Sequence, residues 1–150
     1  SSALAGDMLF VPSHGLTALK LGADGKSFKQ KWRSGRLRPG TASPLVHGRK
    51  VYSLNNAGVL ACADVDSGNR LWQLRLDGPF GGSPVVADNH MYIFSEEGLA
   101  QVVDLTAPEG NVVGKMDLGE MIQCSPAVSN GALFVRSNGH IWKISRKTRL

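Results

Sequence analysis

The sequence predicts an all-β protein built from a repeated antiparallel unit of about 40 residues. Three observations support this prediction: a serine-led segment recurs along the chain, short apolar stretches alternate with turns marked by glycine or asparagine, and no stretch shows the apolar period of a helix. The chain has 150 residues, of which 42% are hydrophobic and 19% are charged. This length suits one domain, and the composition excludes a disordered chain.

The repeat is visible when the chain is compared with itself. Four segments of eleven residues align without a gap, and their starts are 42, 40 and 42 residues apart. They begin at Ser1, Ser43, Ser83 and Ser125. Their tenth position is aromatic in every copy, as Phe10, Tyr52, Tyr92 and Phe134. We therefore expect one continuous segment, 1–150, with repeats at 1–42, 43–82, 83–124 and, incomplete, 125–150.

Each complete repeat predicts four short strands. The first two strands flank a tight turn, and Asn130-Gly131 is the strongest hairpin signal among these turns. The predicted third strands are Leu16–Leu21, Val59–Val65, Leu99–Leu105 and His140–Ser145. The predicted fourth strands that follow them are Leu71–Leu76 and Val112–Leu118. This period and strand count are those of a β-propeller blade, so we predict four-stranded antiparallel blades, three complete and a fourth with three strands.

The third turn of the second repeat carries a family resemblance. The nine residues from Asp64 to Trp72 read DVDSGNRLW, which resembles the tryptophan-docking motif of PQQ-like (quinoprotein-type, BamB-like) β-propeller repeats. The resemblance implies that Trp32 and Trp72 dock between blades and that Asp64 and Gly68 build the turn. A buried tryptophan removes a large apolar area from water, and glycine tolerates the positive φ of a tight turn. The third repeat departs from the motif, because Gly114 stands where tryptophan is expected.

The most distinctive feature outside the repeat is an insertion in the first copy, Gly22–Gly40, which is rich in cations. The net charge is +5, and nine basic residues but only one acid lie between residues 20 and 50. The candidate contacts for a polyanion are Lys26, Lys29, Lys31, Arg33, Arg36 and Arg38. The alternative is an exposed loop that leads into an outer strand, with Trp32 docked between blades.

The sequence shows no catalytic constellation, and we predict no catalytic, cofactor-binding or metal-ligating residue in it. The four histidines have no metal-binding spacing and lie at or beside turns, as His14, His47, His90 and His140. The resemblance implies that quinone-binding relatives carry adjacent cysteines, whereas Cys62 and Cys124 lie 62 residues apart. PQQ and Ca²⁺ are therefore expected only in a larger parent protein. Whether the protein is an enzyme stays open, although the residues favour a non-catalytic role.

Three functions follow from these observations. The first is a non-catalytic, protein-binding scaffold, located outside the cytoplasm (periplasmic or secreted) by family resemblance, although no signal peptide is visible at Ser1. The second is part of a PQQ-dependent alcohol dehydrogenase, and the third is a polyanion- or glycan-binding module that uses residues 22–40. Nucleic acid is not favoured as a partner, and no apolar run approaches the length of a membrane span. Further blades of a longer chain, or a second copy, are expected to complete the ring.

Overall fold

A computed structural model describes residues 1–145, and every regular element in that range is a β-strand. The strands form three four-stranded sheets and one three-stranded sheet, all antiparallel. The predicted fold class, three complete blades and a three-stranded fourth, is therefore confirmed. The residues after Ser145, for which the sequence predicts no fourth strand, lie outside the described range.

The chain divides into two compact units, and the first, Ser1–Leu76, contains two sheets. The first sheet has the strand order β1(Ala3–Ala5), β2(Met8–Pro12), β3(Leu16–Leu21) and β4(Phe28–Ser34). The second has the order β5(Leu45–His47), β6(Lys50–Leu54), β7(Val59–Asp64) and β8(Arg70–Arg75). Each sheet thus draws its strands from one predicted repeat, in chain order.

The second unit, Asp77–Leu150, repeats this arrangement. Its four-stranded sheet contains β9(Val85–Ala87), β10(His90–Phe94), β11(Leu99–Asp104) and β12(Asn111–Asp117) in that order. Its three-stranded sheet contains β13(Ala127–Ser129), β14(Ala132–Arg136) and β15(Ile141–Ser145). The predicted third and fourth strands agree with these bounds to within one residue at each end.

The fourth strand of each complete sheet is bulged at the same place. The pairing with the third strand skips one residue of the fourth, and the skipped residues are Lys31, Leu71 and Val113. The residues that follow each bulge pair with the third strand, as Trp32 with Ala18, Trp72 with Cys62, and Gly114 with Val102. Because a bulge bends and twists its strand, it sets the direction of the next side chain.

The insertion in the first repeat consists in part of a turn that leads into the outer strand β4, and in part of β4 itself. Phe28 and Lys29 pair with Leu21 and Lys20 and extend the β3–β4 hairpin. Six residues lie between the last paired residues of each hairpin, 22–27 between Leu21 and Phe28 and 64–69 between Ala63 and Arg70. The added residues therefore lengthen the paired strands, because strand hydrogen bonds satisfy the backbone groups that a loop would leave to water.

The core of the first unit brings residues of both of its sheets together. Phe10, Leu16 and Ala18 of the first sheet are fully buried in one cluster with Ala63 of the second. Trp32 belongs to the same cluster and is 9% exposed. The core of the second unit likewise joins Phe94 to Val135, from its two sheets. Sheet faces are thus buried against each other, as expected for blades whose two faces are both apolar.

Candidate functional site

The junction between the two sheets of the first unit is built around Trp32. Its indole N–H donates a hydrogen bond to the carbonyl oxygen of Val65, at a distance of 2.8 Å. Its ring lies against Gly68, where an added Cβ would be 2.6 Å from the ring carbons. The ring of Phe10 packs beside it, with a centroid distance of 5.9 Å. The tryptophan of one sheet therefore rests on the third turn of the next sheet.

This third turn is held by the carboxylate of Asp64. One of its oxygens accepts hydrogen bonds from the backbone N–H of Asp66 at 3.1 Å and from the backbone N–H and hydroxyl of Ser67, both at 2.8 Å. The Ser67 hydroxyl, followed by its backbone N–H, holds the pKa of the Asp64 carboxyl below its ordinary value. Hydrogen bonds to the charged form thus stabilise the turn at neutral pH.

A carboxylate also holds the third turn of the other complete sheets. Asp24 accepts hydrogen bonds from the backbone N–H and the hydroxyl of Ser27, three residues on, as Asp64 does from Ser67. Asp104 instead accepts them from the backbone N–H and the hydroxyl of Thr106, two residues on. These bonds lower the pKa of the Asp24 and Asp104 carboxyls, with the backbone N–H as the largest cause. Asp24 is not among the predicted turn residues, although the Asp-x-x-Ser spacing of the second repeat also occurs there.

Trp72 lies on β8, in the same sheet as the turn formed by Asp64 and Gly68. Its side chain is 7% exposed, and its ring centroid is 5.9 Å from that of Tyr52. Among the described residues, its buried indole N–H has no hydrogen-bond partner. The four predicted docking residues therefore are not shown in one cluster: Gly68 contacts Trp32, and Trp72 contacts Tyr52 of its own sheet. Their docking role remains a prediction.

The six predicted polyanion contacts do not form one site either. Lys31 donates to the carboxylate of Asp66 at 2.6 Å, and Arg49 pairs with the same carboxylate. The Nε of Arg38 donates to the carbonyl oxygen of Gly35 at 2.8 Å. Lys26, Lys29, Arg33 and Arg36 are exposed. Part of the positive charge in this segment is thus neutralised within the chain.

An arginine cavity combines some of these residues with one that the sequence analysis missed. Arg33 and Arg36 of the first repeat line it together with Arg70 of the second, and its volume is about 550 Å³. The other lining residues are uncharged: Ser34, Gly35, Gly68 and Asn69. Arg70 lies within the motif that predicts the turn, but only the packing of one sheet on the next brings it near Arg33.

A polar cluster of the second unit links the segment after β12 to the turn before β15. The Glu120 carboxylate accepts hydrogen bonds from the hydroxyl of Ser137, the backbone N–H of Gly139 at 3.1 Å and Nδ1 of His140 at 2.6 Å. The hydroxyl of Ser137 is the largest cause that lowers the pKa of Glu120. The Ser137 hydroxyl also accepts a hydrogen bond from the indole N–H of Trp142 at 2.9 Å. The bonds to Glu120 connect the segment after β12 to the turn before β15.

Within residues 1–145, no three histidine, cysteine or acidic side chains lie close enough together to hold a metal ion. Cys62 and Cys124 are free thiols, and burial raises the pKa of Cys62 to about 11. The same range contains no helix that is long and apolar enough to cross a membrane. The expectations for PQQ and Ca²⁺ remain predictions.

Four-stranded antiparallel blades connected in chain order define this chain as a PQQ-like β-propeller repeat protein. The family model for the outer membrane protein assembly factor BamB matches residues 18–113. Because this match covers more than half of the sequence, the chain belongs to the BamB family. The resemblance that the motif from Asp64 to Trp72 predicts is therefore confirmed.

Solved structures show the same fold. BamB from Moraxella catarrhalis is 21% identical, with a TM-score of 0.68 over 88% of this chain and 40% of that one. A europium-containing methanol dehydrogenase is 18% identical, with a TM-score of 0.58 over 76% of this chain and 23% of that one. The computationally designed Ika4 protein is 11% identical, with a TM-score of 0.67 over 96% of this chain and 89% of that one. No curated protein sequence matches the chain significantly.

Proposed function

We propose that this chain is a non-catalytic, protein-binding scaffold that works outside the cytoplasm. Membership of a family described as an outer membrane protein assembly factor supports both parts of the proposal. The likeness to BamB is also closer and more extensive than the likeness to methanol dehydrogenase, with TM-scores of 0.68 and 0.58. The chain spans less than half of that BamB structure, so the role of the whole protein is part of the proposal.

The arginine cavity carries the proposal, because it supplies a surface for a partner. None of Arg33, Arg36 and Arg70 forms a salt bridge with another described residue. A guanidinium group binds a carboxylate through two parallel hydrogen bonds, which gives geometric specificity as well as affinity. Three such groups around one cavity suit a partner segment with closely spaced aspartate or glutamate residues.

The test uses a fluorescein-labelled hexaglutamate peptide as the probe and fluorescence anisotropy as the measurement. We expect the full chain to bind this peptide with an affinity that falls as salt is added, because exposed charges are screened. The variant carrying Arg33→Gln, Arg36→Gln and Arg70→Gln should bind more than about tenfold more weakly, which corresponds to roughly 1.4 kcal/mol.

The matched control carries Lys26→Gln, Lys29→Gln and Arg75→Gln, which remove the same charge from exposed residues outside the arginine cavity. Its affinity should stay within about threefold of wild type, as expected for loss of distant, screened charges. An equal loss in both variants would show that general charge, and not this cavity, binds the peptide. Tighter binding of a heparin tetrasaccharide, lost in the same triple variant, would instead establish the glycan-binding alternative.

A further inference from the structure

The third repeat has glycine at a position that is tryptophan in the first two. Trp32, Trp72 and Gly114 each follow the bulge of the fourth strand and pair with the equivalent residue of the third strand. Gly114 is not among the residues with positive φ, so the backbone there does not require glycine. The third sheet therefore lacks a side chain that its two sister sheets possess.

In the sister sheets, the tryptophan ring packs against the aromatic residue of the second strand. The centroid distance is 5.9 Å both for Phe10 with Trp32 and for Tyr52 with Trp72. The equivalent aromatic residue of the third sheet is Tyr92, which pairs with Val102, the partner of Gly114. One half of the aromatic pair is thus present in the third sheet, and the other half is missing.

A cavity of about 190 Å³ takes the place of the missing ring. A Cβ built on Gly114 would contact only the side chain of Val102, at 3.7 and 3.8 Å, so the space beyond it is open. The apolar walls come from both sheets of the second unit and include Tyr92, Phe94, Ala100, Val102, Leu133 and Ile144.

Among the described residues of the wall, Gln101 has the one buried polar side chain, and its hydrogen bonds are satisfied within the chain. The amide of Gln101 accepts a hydrogen bond from the backbone N–H of Asp77 at 3.0 Å and donates one to its carbonyl oxygen at 2.9 Å. The cavity therefore offers an apolar environment, and apolar cavities of about 150 Å³ stay dry and bind benzene. A water molecule would find few hydrogen-bond partners there, whereas a flat aromatic ring would form dispersion contacts with the walls and pack against the ring of Tyr92.

We propose that this cavity binds a flat aromatic molecule of indole size, whose ring takes the place of the tryptophan side chain that the third repeat lacks. The occupant follows from the chain itself, because indole groups fill the equivalent positions of the first and second sheets. The site is independent of the proposed scaffold function, since the arginine cavity is lined by other residues.

Indole itself is the probe, and isothermal titration calorimetry with the full chain is the first measurement. We expect saturable binding of one indole per chain, and nuclear Overhauser contacts between indole and the ring of Tyr92. Gly114→Trp should fill the cavity and weaken indole binding by more than about tenfold. In the control Val113→Trp, the new ring lies at the exposed bulge position, and the affinity should stay within about twofold of wild type.

Absence of saturable indole binding to the wild-type chain would overturn the proposal. So would equal binding by Gly114→Trp and Val113→Trp, because the indole would then lie elsewhere. If Gly114→Trp does not fold, Val102→Phe provides a second test, since it narrows the same cavity from the neighbouring strand. Retained affinity in a folded Val102→Phe variant, without contacts to Tyr92, would also contradict the proposal.

Discussion

The ring of Trp32 lies directly over Gly68, so close that a Cβ on Gly68 would be 2.6 Å from two of its ring carbons. Gly68 also has a φ of +70°, a conformation that side chains rarely adopt. The glycine of the motif therefore has two separate reasons to be glycine: the turn requires its backbone conformation, and the preceding sheet requires its lack of a side chain.

Substituting Gly68→Ala should accordingly destabilise the first unit through both effects. Gly25 provides a matched control, because it occupies the equivalent turn with a φ of +63° and has no atom within 4 Å of a built Cβ. Gly25→Ala should cost about 1–2 kcal/mol of unfolding free energy, from the backbone alone. Gly68→Ala should cost a further 1–3 kcal/mol or so through overpacking against Trp32. Urea denaturation of both variants measures the difference, and equal costs would mean that the contact with Trp32 is unimportant.

Trp72→Ala should destabilise the protein by about 3–5 kcal/mol, as expected when a large buried side chain is removed. Trp72 is 7% exposed and contacts Tyr52, whereas its neighbour Leu71 occupies the bulge and is 51% exposed. Leu71→Ala is therefore the control, and surface substitutions of this kind change stability by about 0.5 kcal/mol or less. Thermal or urea unfolding compares the two. A cost below about 1 kcal/mol for Trp72→Ala would contradict a docking role for this side chain.

The strands could be predicted from the sequence because their signals are local. Each hairpin needs residues that tolerate positive φ, and Asn130, with a φ of 48°, lies at the turn where the sequence placed it. The serine-led period then assigns the strands to repeats without any tertiary information. The Asp-x-x-Ser spacing at Asp24 was an equally local signal that could have predicted the third turn of the first repeat.

The sites could not be predicted in the same way, because they depend on pairing and packing. At Lys31, Leu71 and Val113 the fourth strand has one residue more than its partner strand pairs with. The sequence of either strand alone does not show this difference. The arginine cavity likewise needs Arg70 from the second sheet beside Arg33 from the first. The two added residue pairs of the β3–β4 hairpin also depend on pairing, because the distance from Gly25 to Trp32 does not show which of the added residues lie in a strand.

The Asp64 turn predicts a specific dependence of stability on pH. Since the pKa of this carboxyl is lowered in the folded state, the unfolded state binds more protons between the lowered pKa and the ordinary value. The stabilisation is therefore complete above the ordinary pKa of about 3.9 and is lost as the pH falls through the lowered one.

Ser67→Ala removes the largest cause of this shift, so the pKa of Asp64 should rise towards its ordinary value. A carbon-13 carboxyl titration measures this directly, and Ser27→Ala is the control, because Ser27 contacts Asp24 and not Asp64. The stability difference between wild type and Ser67→Ala should be largest at neutral pH and shrink below about pH 3.9. A pKa of Asp64 unmoved by Ser67→Ala would disprove the role of this hydroxyl.

The two thiols should react at very different rates, which tests the packing of β7. Cys62 is fully buried, and burial raises its pKa to about 11, so few native molecules carry a thiolate there at pH 8. Cys124 is partly exposed, and its thiol contacts the carbonyl oxygen of Arg136 at 3.2 Å. With 5,5′-dithiobis(2-nitrobenzoate) we expect one thiol to react in the native chain and both to react in urea. Cys124→Ser should abolish the native reaction. Rapid native labelling of that variant would show that Cys62 is accessible and that the core beside Trp72 opens readily.

Labelling of Cys62 requires the core to open first. A built Cβ on Gly68 meets the ring of Trp32, whereas one on Gly25 meets no atom within 4 Å. Gly68→Ala should therefore increase the rate of Cys62 labelling more than Gly25→Ala does.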